Sequence, residues 1–132
     1  MIPRAVYDEV VVKGVGKPGA AEIRDTPWIE THEVADRDVV ARLRAILDAG
    51  ESEAIALAQE IEADVIILDD EKARNTARVE GLRVVGLLAF LILAQERGII
   101  SHVRPLLDTL RRQGFFIGDD LYHHILRQAD EL

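Results

Sequence analysis

Apolar and polar positions along the chain alternate between helical and extended spacing. Val39, Val40, Leu43, Ile46 and Leu47 recur at the steps of a helix face, in a segment that begins at Asp36 or Asp38 and stops at Gly50. A second helix follows from about Glu51 to Glu62, with Ile55, Leu57, Ala58 and Ile61 as its apolar set. Asp64-Val65-Ile66-Ile67-Leu68 is instead a short continuous apolar run, which predicts a strand buried on both faces of a parallel sheet. Asp69 and Asp70 come next, then a helix from Glu71 to Glu80, closed by Gly81, and a further strand over Leu82–Val85. Gly86 opens an apolar helix to Arg97, closed by Gly98. Ser101 is the expected N-cap of a helix to Arg112, with Pro105 near its first turn, and Asp119 or Asp120 caps the last helix. Upstream, Pro3–Lys13 reads as a helix with proline at its start, although Val10-Val11-Val12 also suits an extended chain. Gly14–Gly19 is a loop by composition, and Trp28–Val34 alternates as a strand does. The alternation of strand and helix predicts an α/β fold with a mainly parallel sheet and right-handed crossovers. No internal repeat or linker interrupts it, so residues 1–132 are expected to form a single domain.

Composition narrows the chemistry. With 132 residues, 48% hydrophobic and 30% charged, the chain is neither disordered nor of low complexity. It has no cysteine, which excludes a disulfide scaffold, a thiolate nucleophile and a Cys-ligated metal, and fits a reducing cytoplasm. Sixteen basic against 24 acidic residues give a net charge of −8. Such a chain has no long-range attraction for nucleic acid or for an anionic membrane. It can still act on nucleic acid where the surplus carboxylates hold metal ions. The longest near-apolar run, Val84–Ala94, is well short of the roughly 20 residues a bilayer span needs, and Met1-Ile2-Pro3-Arg4 does not open a signal peptide. No membrane association is expected.

Ligands of a parallel sheet bind at the carboxyl ends of its strands, which draws attention to Asp69 and Asp70. Adjacent carboxylates there suit a hard divalent cation, but an aspartate before a helix also serves as an ordinary cap. Glu51 and Glu53 lie in the first turn of a helix whose following residues, Ala54 to Ala58, include three alanines. Small side chains allow that helix to pack closely on the sheet, which would hold Glu53 near Asp69. Asp8-Glu9 forms a third acidic pair on the first helix. Lys72, Arg74 and Arg78 follow Asp69-Asp70 on the next helix, where they either meet phosphates or pair with Glu71 and Glu80. No histidine lies three or four residues from another, and no Gly-x-Ser-x-Gly elbow is present. Converging carboxylates at a sheet edge serve two-metal phosphodiester hydrolysis, in which one ion activates water and the other stabilises the leaving oxygen.

These same residues carry a family resemblance. Ile2-Pro3-Arg4-Ala5-Val6-Tyr7-Asp8-Glu9-Val10, Gly50-Glu51-Ser52-Glu53-Ala54-Ile55-Ala56-Leu57-Ala58 and Asp64-Val65-Ile66-Ile67-Leu68-Asp69-Asp70-Glu71-Lys72-Ala73-Arg74 resemble, in order and spacing, segments of PIN-like nucleic-acid-binding proteins. Gly81–Gly86 with its apolar helix, and Val103–Asp108, continue the match. The resemblance implies a three-layer PIN-like fold with a short, mainly parallel sheet flanked by helices. It implies a Mg²⁺- or Mn²⁺-dependent endoribonuclease acting on single-stranded RNA, in many relatives the toxin of a toxin–antitoxin pair, with an antitoxin protein as partner. It assigns Glu9, Glu53 and Asp69 as catalytic metal ligands, with Asp70 adjacent in an unfixed register and Glu51 as a neighbour; if the helix after Asp70 meets phosphates, Lys72, Arg74 and Arg78 are the expected RNA contacts. PIN-like chains open with a strand bearing an aspartate and a helix; this chain starts after both, so an N-terminally truncated domain is expected. Three outcomes follow: a shortened chain, a non-catalytic relative that binds RNA or antitoxin, or a homodimer that fills the sheet's open edge.

Overall fold

A computed structural model describes residues 1–17, 20–27 and 29–132, without the side chains of Glu22 and Ile23. Pro18 and Gly19 of the expected loop and Trp28 of the expected strand lie outside the described residues. The chain divides into two compact units, Met1–Val85 and Gly86–Leu132.

The first unit is α/β. Strand β1 (Ile2–Pro3) leads into helix α1 (Arg4–Tyr7), which widens into a π-helical turn over Asp8–Val12. The Lys13 N–H closes that turn on the Asp8 carbonyl, 2.8 Å away. The valine run is thus helical rather than extended. At Gly14 any side chain would collide with the Val10 carbonyl, so only glycine fits there. Helix α2 (Ala20–Asp25), absent from the sequence expectation, follows. Of the six described residues of the expected strand, Ile29–Val34, the next strand, β2, covers Thr31–His32.

Helix α3 (Arg37–Leu43) is capped by Asp36, whose carboxylate accepts from the Val39 N–H at 3.2 Å. It ends well before Gly50. Helix α4 (Ala49–Glu60) starts earlier than expected because Asp48, not Gly50, marks its boundary: the Asp48 carboxylate accepts from the Glu51 N–H at 2.8 Å. Gly50 is a buried helical residue. Strand β3 (Ile66–Ile67), helix α5 (Glu71–Val79, capped by Asp70) and strand β4 (Val84–Val85) complete the unit.

The strands form two separate parallel pairs among the described residues. In β1–β2, Ile2 faces Thr31 and Pro3 faces His32; in β3–β4, Ile66 faces Val84 and Ile67 faces Val85. Helix α4 packs against both β1 and β3. Burial of β3 on both faces does not hold: Ile66 is 8% exposed and Ile67 42%. Ile66 joins Leu43, Leu47, Ile55, Leu68 and Ala73 in the core between α3, α4 and α5, which covers a single side of the strand.

The second unit is helical: α6 (Leu87–Glu96), α7 (Arg104–Arg112) and α8 (Asp119–Gln128) pack around Val103, Leu107, Ile117, Ile125 and Leu126. Neither expected cap is used. Helix α8 starts after Gly118, with Asp119 in its first turn. Helix α7 starts after Val103, and its free N–H groups are met from the chain's far end: the Glu131 carboxylate accepts from Val103 N–H at 2.7 Å and Arg104 N–H at 3.1 Å. Asp130, at φ +58°, turns the chain back so that Glu131 reaches them. No described helix is long and apolar enough to cross a membrane.

Candidate acidic centre

Two helix starts carry the acidic residues of the first unit. Asp48 and Glu51 stand at the first turn of α4, and Asp70 caps α5 with a 2.9 Å bond from the Ala73 N–H. The positive end of each helix dipole favours carboxylates there. The groups are close enough to act on each other: burial and the charges of Asp48 and Asp70 push the Glu51 carboxyl above its ordinary pKa. Glu9, on the exposed side of the π-helical turn, brings its Oε2 to 3.4 Å from where a Cβ at Gly50 would stand, and Asp48 Oδ1 is 3.7 Å from the same point. Asp48 thus links Glu9, across Gly50, to Glu51, which also feels Asp70, and these carboxylates make an acidic rim. π-Turns recur at functional sites, and this one carries Glu9.

Glu53 sits differently. It is 8% exposed, and its carboxylate accepts from the Ala5 N–H at 3.0 Å and from the Arg37 guanidinium at 3.2 Å. It ties the start of α1 to α4, and both of its oxygens are engaged. Glu51 and Glu53 are two residues apart, about 200° around a helix, so they cannot share a face. Asp69 is exposed, and its carbonyl accepts from Arg74 Nη1 at 2.5 Å. Of the basic residues considered for RNA, Arg74 is thus spent on the end of β3, and Arg78 bonds Asn75 at 3.0 Å. Neither pairs with Glu80, which instead holds Arg42 at 2.6 Å and Gln59 at 3.2 Å. The Lys72 ammonium forms no hydrogen bond or ion pair among the described residues and lines an open groove of about 760 Å³. That groove lies between α3 and α5, with Arg42, Leu43, Ile46, Asp70 and Val79 also on its walls.

The donor chemistry of the rim fits a hard cation: it is all carboxylate, and Glu51 lies among like charges that a divalent ion would relieve. Among the described residues, no three His, Asp or Glu side chains are gathered to ligand spacing. Sequence reasoning missed Asp48, because the helix was expected to run unbroken through it. Its signal is the Asp-x-x-Glu spacing of Asp48 and Glu51, the form of a helix-start capping pair.

Comparison with known proteins gives one family. A family model described as a PIN domain matches residues 1–131. Nothing matches among the curated proteins, and nothing among the solved structures.

Proposed function

The chain belongs to the PIN-domain family, and from that premise we propose that it is a Mg²⁺- or Mn²⁺-dependent endoribonuclease cutting single-stranded RNA at the acidic rim. PIN domains are nuclease-type domains and generally use divalent metals. The observation that carries the reading is the gathering of carboxylates at the start of α4: Glu9 Oε2 and Asp48 Oδ1 stand 3.4 and 3.7 Å from the Cβ position of Gly50, and burial with the charges of Asp48 and Asp70 raises the Glu51 pKa. Like charges crowded in this way favour a bound positive ion.

Glu9, Glu51 and Asp70 would hold the ions, with Asp48 behind Glu51 and Asp69 beside Asp70. When bound, the metal supplies an activated water and stabilises the leaving oxygen. The chain's own groups position it. The Ala73 N–H fixes the Asp70 carboxylate, and the Asp48 carboxylate holds the first turn of α4 through the Glu51 N–H. Glu53 acts one step removed, as a positioning residue: by holding Ala5 and Arg37 it seats the helix that leads to Glu9. Lys72, on the groove that Asp70 also lines, is the best-placed cation for a phosphate.

The test is cleavage of labelled single-stranded RNA with Mn²⁺. The expected result is cleavage by the wild type, abolished by EDTA and by Asp70→Asn. A pure, folded wild type that cuts nothing with either metal overturns the reading. A toxin role predicts growth arrest on expression, relieved by Asp70→Asn.

A second reading, self-association, is favoured by the strand pairing. Among the described residues each strand pairs on one side, and the other side is an edge on which a second copy could add a strand. Sedimentation at tens of micromolar tests it: a dimer supports it and a strict monomer sinks it.

A further inference from the structure

We propose that the loop joining α7 to α8 is a stacking platform for single-stranded nucleic acid, with Phe116 as its principal ring and Arg112 as its cation. Arg112, Gln113, Gly114, Phe115 and Phe116 form a continuous exposed run. Phe116 is 90% exposed and Phe115 37%. Leaving a phenylalanine in water forgoes the stabilisation its burial would bring, and a mobile loop could fold it away.

This loop is held instead. Gly114, at φ +92°, ends α7, and the Phe115 N–H bonds the Leu110 carbonyl at 2.9 Å. On the other side, Arg111 donates twice to the Ile117 carbonyl, at 3.1 and 2.7 Å, and once to Asp119 at 2.9 Å. The same guanidinium lies 4.1 Å over the ring of Tyr122, whose hydroxyl donates to Asp108 at 2.6 Å. Ile117 is buried in the core of the unit. The loop is therefore pinned before Phe115 and after Phe116, and the ring of Phe116 is held outward.

The neighbours of the ring choose the occupant. Arg112 makes no ion pair among the described residues; its one bond is to the Thr109 hydroxyl at 3.0 Å. Gln113 adds an exposed amide. Two rings, an amide and an unpaired guanidinium within five residues match what unstacked bases and phosphates require: π-faces, base-edge hydrogen bonds and a positive charge. The charge of the unit opposes a polyanion less than that of the other unit does. Gly86–Leu132 has five basic and six acidic residues, whereas Met1–Val85 has eleven and eighteen, so a polyanion meets less repulsion here. The choice of nucleic acid as occupant rests on the function proposed above; the platform does not depend on the acidic rim.

The experiment is binding of a short fluorescent single-stranded RNA, read by anisotropy in EDTA so that no cleavage occurs. Phe116→Ala is expected to weaken binding about tenfold, and Phe116→Trp to restore it. Arg112→Gln should weaken binding and reduce the salt slope by about one. Melting of each variant should match the wild type. Wild-type RNA binding with Phe116→Ala unchanged overturns the platform and leaves the function intact. A wild type that binds no RNA overturns both. If Phe116→Ala turns a dimer into a monomer with RNA affinity unchanged, the platform is overturned and the loop is a contact between copies.

Discussion

Carboxylates fasten both units, but only one of the units also crowds them together. In Gly86–Leu132 they fasten the fold: Glu131 caps α7, Asp108 accepts from Tyr122, and Asp119 pairs with Arg111. In Met1–Val85 some do the same, as Glu53 does for Ala5 and Arg37 and Glu60 for the Ala35 and Asp36 N–H groups. The rim around Glu51 differs, because burial and then the neighbouring charges of Asp48 and Asp70 raise its pKa. A paired carboxylate stabilises what it touches. A crowded one costs stability, and a fold that keeps it points to a use other than stability.

The contrast breaks most visibly in activity. Glu51→Gln should lower metal-dependent cleavage by more than the roughly 10–100-fold typical of groups behind the ligands. The same variant should melt higher than wild type at pH 7. Glu51 has a folded pKa raised above its ordinary 4.5, so its ionisation weakens the fold as pH climbs through the raised value. Below about pH 4.5 it is protonated in both states, and the advantage of the variant should vanish. Added Mn²⁺ should raise the melting temperature of the wild type more than that of the variant.

Fasteners should behave the other way. Glu53→Ala leaves the Ala5 N–H unpaired and should cost about 2 kcal/mol in urea unfolding. Glu131→Ala frees two N–H groups at the start of α7 and should cost about 1 kcal/mol, without altering cleavage by the folded protein. The smallest change is Ser52→Ala. Its hydroxyl is fully buried and has no hydrogen-bond partner among the described residues, so removal should stabilise by a few tenths to about 1 kcal/mol, read as a higher urea midpoint.

Local signals in the sequence reached the elements they govern. Asp36 and Asp70 cap α3 and α5, Gly86 opens α6, and Gly98 follows its end at φ +74°. The α/β class followed from the alternation of strand and helix patterns, and the family from the resemblance of the acidic segments to those of PIN-like proteins. Long-range choices were not legible. Ser101 looked like a cap, yet α7 is capped by Glu131 from the other end of the unit. Strands spaced as one sheet settle as two pairs, with Ile2 donating to the Glu30 carbonyl and Pro3 having no N–H to give. At the site, Glu51 and Glu53 look alike in sequence. Their surroundings separate only once Ala5 and Arg37 are folded against Glu53, and Asp48 and Asp70 against Glu51.

That separation is tested most directly by assaying Mn²⁺-dependent RNA cleavage by Glu51→Gln and Glu53→Gln side by side, each confirmed folded by circular dichroism. Glutamine at residue 53 can still accept from Ala5, so that variant should keep activity within a few-fold of wild type while Glu51→Gln loses it. Full activity in Glu51→Gln, with a folded but inactive Glu53→Gln, would contradict the assignment of the acidic centre.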